Sequence, residues 1–234
     1  MRKVFTLALS AMLLTASLAL MPGRAAAQGP AVVSSILNKM DRNRRELRSL
    51  RSAVTMQKYN AQIKQYESAQ GEAQYVPGSG RNASIRVDWT RPAREHLAVR
   101  NGEYTLYRPR LNQAYKGKVK SAKGSGKAGN VLSLALSASG SELRSMYNIE
   151  PVGEGQLYDG GPHVTMLKLT PKSGNDFKFA EIWVDGSGMP VQARITERNN
   201  DSTLVRLTGI QRNVPIPSSA FSLDLPSGTK IVNG

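Results

Sequence analysis

The sequence predicts a mainly β domain of the α+β class. One long antiparallel sheet curls on itself under an N-terminal helix and two short inserted helices. Three observations lead there. Apolar residues recur at helical spacing only near the start, in Val32, Val33, Ile36, Leu37, Met40, Leu47 and Leu50. From Ser52 onward the pattern becomes short alternating runs broken by Gly, Pro, Asn and Asp. Midway, Val131 to Tyr147 departs from alternation and reads as two short helices. A sheet of about ten strands curls or closes. Its concave side is then apolar, and the helices are the available covers.

The elements follow in order. Arg2 and Lys3 precede an apolar run from Val4 to Met21, Pro22-Gly23 breaks it, and small residues at Ala25 and Ala27 fit a cleavage site. Residues 1–27 are read as a cleaved signal peptide and 28–234 as one exported domain. The helix spans about 31 to 50, with Lys39, Arg42, Arg44, Arg45 and Arg48 on its polar face. Strands are expected at Ala53 to Asn60, Ala69 to Val76, Ala83 to Trp89, His96 to Val99, Tyr104 to Tyr107 and Gln113 to Lys118. Ile85, Val87 and Trp89 share one face, and Asn101-Gly102 marks a hairpin because both residues tolerate positive φ. The Lys-rich stretch 116–130 is a loop with five lysines, four glycines and no acid. Val131 to Ser137 and Ser141 to Tyr147 are the inserted helices, although Leu134 and Leu136 alternate and allow a strand. Ile149 to Val152, Val164 to Thr170, Phe177 to Val184, Val191 to Arg198, Thr203 to Arg212, Phe221 to Leu225 and Lys230 to Val232 complete the strands.

Composition narrows the function classes. The chain has 234 residues, 40% of them hydrophobic, and no cysteine, which removes disulfides, thiol catalysis, thiolate metal sites and lipid attachment. The formal charge of +15 falls to +12 when Arg2, Lys3 and Arg24 leave with the leader. Such a charge favours acidic partners such as anionic head groups, and export argues against nucleic acid. The same charge also serves as a plain solubilising surface.

No catalytic constellation emerges. His96 and His163 lack a second His at helical spacing. There is no G-x-S-x-G elbow. The Lys-rich loop has Ser121 and Ala128 where a phosphate-binding loop needs glycine and Ser or Thr. Ser227-Gly-Thr-Lys230 has the letters of S-x-x-K, but Pro226 and Gly228 make it a turn. Asp185-Gly-Ser-Gly188 resembles the start of a calcium loop, yet Met189 and Thr196 stand where carboxylate or amide oxygens are required. With Ile182 and Val184 alternating into it and Val191, Ala193 and Ile195 alternating out, it reads as a hairpin turn. Neither a metal nor a cofactor is expected.

Several stretches, in order, resemble the periplasmic lipoprotein carriers of the LolA type. The first is residues 85–115, with Arg91-Pro92, Asn101-Gly102, Tyr104, Leu106-Tyr107, Pro109, Leu111 and Gln113. Next come "GNVLSLALSASGSELRSMYNI" at the place of the family's lid helices and "LKLTPK" at 167–172. The closing stretch is "VPIPSSAFSLDLPSGTKIV". The resemblance implies a strongly curved, incomplete antiparallel β-barrel whose helices lid an apolar cavity for acyl chains. It implies that Arg91 gates the lid through hydrogen bonds to lid carbonyls, for which a guanidinium has enough donors. It also implies an inner-membrane release complex as donor and an outer-membrane acceptor.

The expected function is that of a non-enzymatic, monomeric periplasmic carrier for the acyl chains of lipoproteins or lipids. Leu97, Val99, Leu106, Leu136, Met146, Ile182, Val184, Val191 and Ile195 are the expected cavity lining. The alternative is a sensor or adaptor domain on the same fold, which would need a partner-binding region beyond the barrel. The chain runs only two residues past its last predicted strand, which speaks for the carrier.

Overall fold

The computed structural model describes residues 25–78, 82–119, 127–173 and 177–233. The candidate leader up to position 24 lies outside the described residues, as do 120–126 of the Lys-rich loop. Helix α1 (Ala25–Glu46) buries Val33, Ile36, Leu37 and Met40 and exposes Arg42 and Arg45. It ends four residues earlier than its apolar spacing suggests. Leu47 N still donates to Asn43 O at 2.9 Å. Beyond it Asn213 captures the chain. Its Oδ1 accepts from Arg48 N at 2.7 Å, and its own N–H donates to Ser49 O at 2.8 Å. Leu50 is therefore a strand residue, fully buried.

The strands form two meanders. The first is β1 (Leu50–Asn60), β2 (Gln65–Val76), β3 (Ser84–Arg91), β4 (Glu95–Arg100), β5 (Glu103–Arg108) and β6 (Gln113–Lys118). The second is β7 (Tyr147–Gln156), β8 (His163–Pro171), β9 (Phe177–Asp185), β10 (Pro190–Glu197) and β11 (Ser202–Arg212). Antiparallel pairing of β1 with β11 joins them. A last strand, β12 (Lys230–Asn233), pairs with β6 in parallel. The single sheet runs β12-β6-β5-β4-β3-β2-β1-β11-β10-β9-β8-β7, with β12 and β7 as free edges. It is an unclosed, curved sheet of twelve strands, as the resemblance implied, except that one pair is parallel.

Between the meanders lie α2 (Lys127–Ser137) and α3 (Gly140–Met146). Leu134 and Leu136 belong to a helix, not a strand. Ser139 caps α3 reciprocally with Glu142: the Ser139 Oγ accepts from Glu142 N, and Ser139 N donates to the Glu142 carboxylate. Asp41 Oδ1 accepts from Gly140 N at 3.0 Å, which ties α3 to α1.

Phe221 to Leu225 is not a strand. Ser218–Phe221 is a single 3-10 turn within a Pro-rich tail. Pro cannot donate to a ladder, so the tail crosses the outer face instead. Arg86 holds it by donating to Ala220 O and Ser222 O, both at 3.3 Å. Phe221 is thereby buried.

The curvature follows from two contacts of α2. A Cβ at Gly129 would sit 3.0 Å from Val99 Cγ2 and 3.6 Å from Leu97 Cδ2, both on β4. Two residues away, Lys127 Nζ bonds Glu197 Oε1 at the end of β10. Strands β4 and β10 are five places apart, roughly 24 Å along a flat sheet at the usual strand spacing. Only a sheet rolled around α2 brings both within reach of one helical turn.

The Asp185-Gly-Ser-Gly188 stretch is the β9–β10 turn. Asp185 Oδ1 accepts from Ser187 N at 2.9 Å, Ser187 Oγ at 2.7 Å and Met189 N at 2.9 Å. Gly188 has φ +85°, and a Cβ there would collide with the backbone carbonyl of Lys39 in α1. Glycine is thus required twice, for its φ and for the approach of α1. Gly188→Ala is expected to cost more than about 1 kcal/mol in urea unfolding. An unchanged midpoint would disprove this close docking.

Candidate functional site

The site is built from the inner face of the curved sheet. In β3, Ile85, Val87 and Trp89 point inward together, as their alternation requires. Register extends this row sideways: Ile85 lies opposite Val99, Val87 opposite Leu97, and Leu97 opposite Leu106. On the other limb Ile182 lies opposite Ala193, Ala180 opposite Ile195, and Leu167 opposite Ile182. The limbs face each other across α2, whose buried side is Ala128, Gly129, Val131, Leu132, Ala135 and Leu136.

The structure gathers Leu97, Val99, Leu106, Leu136, Ile182, Val184, Val191 and Ile195 into one apolar cluster. Met146, at the end of α3, packs against it but stays partly exposed. None of those eight is more than 7% exposed. In this state these side chains are buried beneath α2 and closed to solvent.

Among the described residues, polar contacts at both ends tie α2 down. Lys127 pairs with Glu197 at its N-terminal end. At its C-terminal end Tyr75 Oη donates to Leu136 O at 3.1 Å. Ser137 Oγ lies 3.5 Å from the same hydroxyl. Burial pushes the Tyr75 phenol above its ordinary range, with the Ser137 contact and the Arg44 charge opposing. Sequence reasoning missed Tyr75, Lys127 and Glu197. Tyr75 sits in the expected strand, but nothing in the chain says which helix crosses above it.

Arg91 bonds a neighbouring strand rather than a lid carbonyl. It is exposed, lies just past Trp89 at the end of β3, and its guanidinium donates to Gln70 Oε1 of β2 at 2.6 Å. The Arg91-Pro92 peptide is cis. These residues border a groove of about 440 Å³ that also takes in Met56, Ala69, Trp89, Glu95 and Arg108. Lys58 and Glu67 at its edge form a pair at 2.5 Å, and the Lys58 hydrogen bond and charge hold the Glu67 carboxyl below its usual range.

The remaining candidates stand outside this interior. His96 Nδ1 lies 2.6 Å from Asp88 Oδ1, and Asp88 also accepts from Arg86 Nε at 2.8 Å, on the face that the tail covers. His163 is exposed at the start of β8. Ser227 and Gly228 form a turn closed by Thr229 N to Pro226 O, and Lys230 opens β12. Among the described residues no group of three or more His, Asp or Glu could hold a metal ion. Nor is any described helix long and apolar enough to cross a membrane.

Tyr75→Phe should weaken the fold by about 1 kcal/mol at neutral pH, since it strips the Leu136 carbonyl of its donor. A folded pKa raised above the unfolded value of about 10 contributes stability below pH 10 that is lost as pH rises through the folded pKa. Alkaline melting curves should therefore fall more steeply for the natural chain than for Tyr75→Phe. Parallel curves would show that the phenol is not buried as described.

The fold has known counterparts. Residues 55–224 match the family model described as "Outer membrane lipoprotein carrier protein LolA". The outer-membrane lipoprotein carrier protein of Cupriavidus necator is 25% identical over 185 residues, which cover 71% of this chain and 82% of that one. The Cupriavidus pinatubonensis protein of the same name is 25% identical over 171 residues, covering 70% and 74%. Among solved structures, MucB superposes with a TM-score of 0.53 at 15% identity, covering 83% of this chain; the chain spans 63% of the MucB chain. An uncharacterized conserved protein from Thermus thermophilus also superposes with a TM-score of 0.53, at 12% identity over 87% of this chain and 99% of that one. At these identities the two structures speak for the fold alone. With the family model matching most of the chain, from the first strand to the tail beyond the last antiparallel one, this chain belongs to the LolA family of outer membrane lipoprotein carrier proteins.

Proposed function

We propose that this protein is a non-catalytic, monomeric carrier in the periplasm. It takes acyl chains of lipoproteins or lipids into the interior between the curved sheet and α2, and delivers them towards the outer membrane. By family membership, the donor would be an inner-membrane release complex and the recipient an outer-membrane acceptor. One observation carries the reading: a continuous apolar interior, drawn from both limbs of the sheet, lies under a short helix tied down by few polar contacts.

The energetics suit such a task. Each buried CH₂ contributes about 0.8 kcal/mol, so a long acyl chain gains enough to offset lifting α2. The contacts are apolar and non-directional, so binding needs no catalytic group and release needs no bond cleavage. In this reading Leu97, Val99, Leu106, Leu136, Met146, Ile182, Val184, Val191 and Ile195 line the space once α2 moves. Gating falls to the Tyr75 and Lys127 contacts, while Arg91, at the rim, holds Gln70.

A fluorescent acyl probe should bind the purified protein saturably at one molecule per chain. Amides of residues 127–137 should change their hydrogen-exchange protection on binding. Lys127→Ala should speed probe entry several-fold by removing one tether. Absence of probe binding, or binding with no response in α2, would refute the proposal.

A further inference from the structure

The inner face of the first meander changes character at one level. Along four of five adjacent strands, β1, β2, β4 and β5, the inward row passes from an apolar residue to a charged one two positions away. The pairs are Met56 and Lys58 on β1 and Ala69 and Glu67 on β2; on β3 a bulge after Trp89 sets Arg91 opposite Gln70 instead, and Arg91 borders the same groove. Leu97 and Glu95 on β4, and Leu106 and Arg108 on β5, continue the row. All the charged members border one groove, with Met56, Ala69 and Trp89 beneath them.

The charges in this collar do not cancel. Lys58 pairs with Glu67 at 2.5 Å, and Arg108 Nε lies 2.9 Å from Glu95 Oε1. Arg91 is the third cation, and the partner it has is the neutral Gln70 amide oxygen. Three cations face two carboxylates, so the collar holds one positive charge in excess. Beneath it the Trp89 indole Nε1 is buried and has no hydrogen-bond partner among the described residues. Trp89 as a whole is 2% exposed. A buried donor without an acceptor is costly, and Trp89 is one of the residues that line the groove.

We propose that this groove is a headgroup subsite for an amphiphile carrying one acyl chain end and a single anionic group, a carboxylate or a phosphate ester. The anion would take the place of the Gln70 oxygen on Arg91. The chain would run inward past Met56 and Trp89, with an ester or carboxylate oxygen accepting from Nε1. This rests on the acyl-carrier reading and sharpens it, because it assigns the cargo a charge.

The chain has two tryptophans, and Trp183 sits on the outer face against Arg194. In a full-length Trp183→Phe background, Trp89 is the sole indole reporter. Its emission is followed during titration with dodecanoate, dodecyl phosphate, dodecanol and inorganic phosphate near neutral pH. The two anionic amphiphiles should bind about tenfold more tightly than dodecanol, as a charge-assisted hydrogen bond implies. Inorganic phosphate alone should have no effect. Arg91→Gln, a change at an exposed residue, should remove the preference and leave dodecanol binding as it was.

Equal binding of all three amphiphiles would overturn the charged subsite while leaving the acyl carrier intact. Binding of inorganic phosphate as tight as that of dodecyl phosphate would show a free-anion site and overturn the proposal. Absence of binding by any amphiphile would remove both readings. If dodecanoate but not dodecyl phosphate binds preferentially, the carboxylate source is selected; the converse selects the phosphate ester.

Discussion

A twelve-stranded sheet with one apolar face must hide that face, and with β12 and β7 left unpaired it cannot do so by closing. Everything else in the molecule answers that constraint. The sheet rolls until β4 and β10 reach the same helical turn of α2. The segment between β6 and β7 has to travel from one limb to the other, and placing two helices on that path covers the concave side. Helix α1 seals the second limb, locked where the β9–β10 turn meets Lys39.

The cover is far weaker than the wall. The strands are held by continuous ladders, so opening the sheet would break many backbone bonds at once. Helix α2 is short, and helices of that length owe their stability to packing more than to their own bonds. Its tether at Tyr75 is a single neutral hydrogen bond, and its tether at Lys127 is a partly exposed ion pair worth little in water. A structure with a stiff wall and a lightly held cover is mechanically suited to admitting apolar cargo. The packing that stabilises the closed form is of the same kind as the packing that cargo would provide.

Legibility of the site varied with the range of the contact involved. The apolar rows were visible because a strand's two-residue period assigns each side chain to a face without further information. Ile182, Val184, Val191 and Ile195 were read this way, and so were Ile85, Val87 and Trp89. The Asp185 turn was legible too, because Asp, Ser and Gly satisfy one another within five residues. Leu50 misled because it also fits helical spacing, and its fate was decided by Asn213, far along the chain. The tail around Phe221 misled for a similar reason: Arg86 on β3 supplies the bonds that a neighbouring strand would have made.

Local patterning was enough to define the class of the domain, the order of its elements and the face to which most apolar residues belong. It also excluded thiol chemistry and left metal spacing unmet. These follow from periods of two and 3.6 residues and from which side chains are present. Closure of one limb on the other, the Tyr75 and Lys127 tethers and the parallel β12 belong to the folded chain. So does the excess charge at Arg91, because each depends on residues distant in sequence meeting across the curve. A periodicity shows that a residue faces inward; the curl of the sheet determines what stands opposite it.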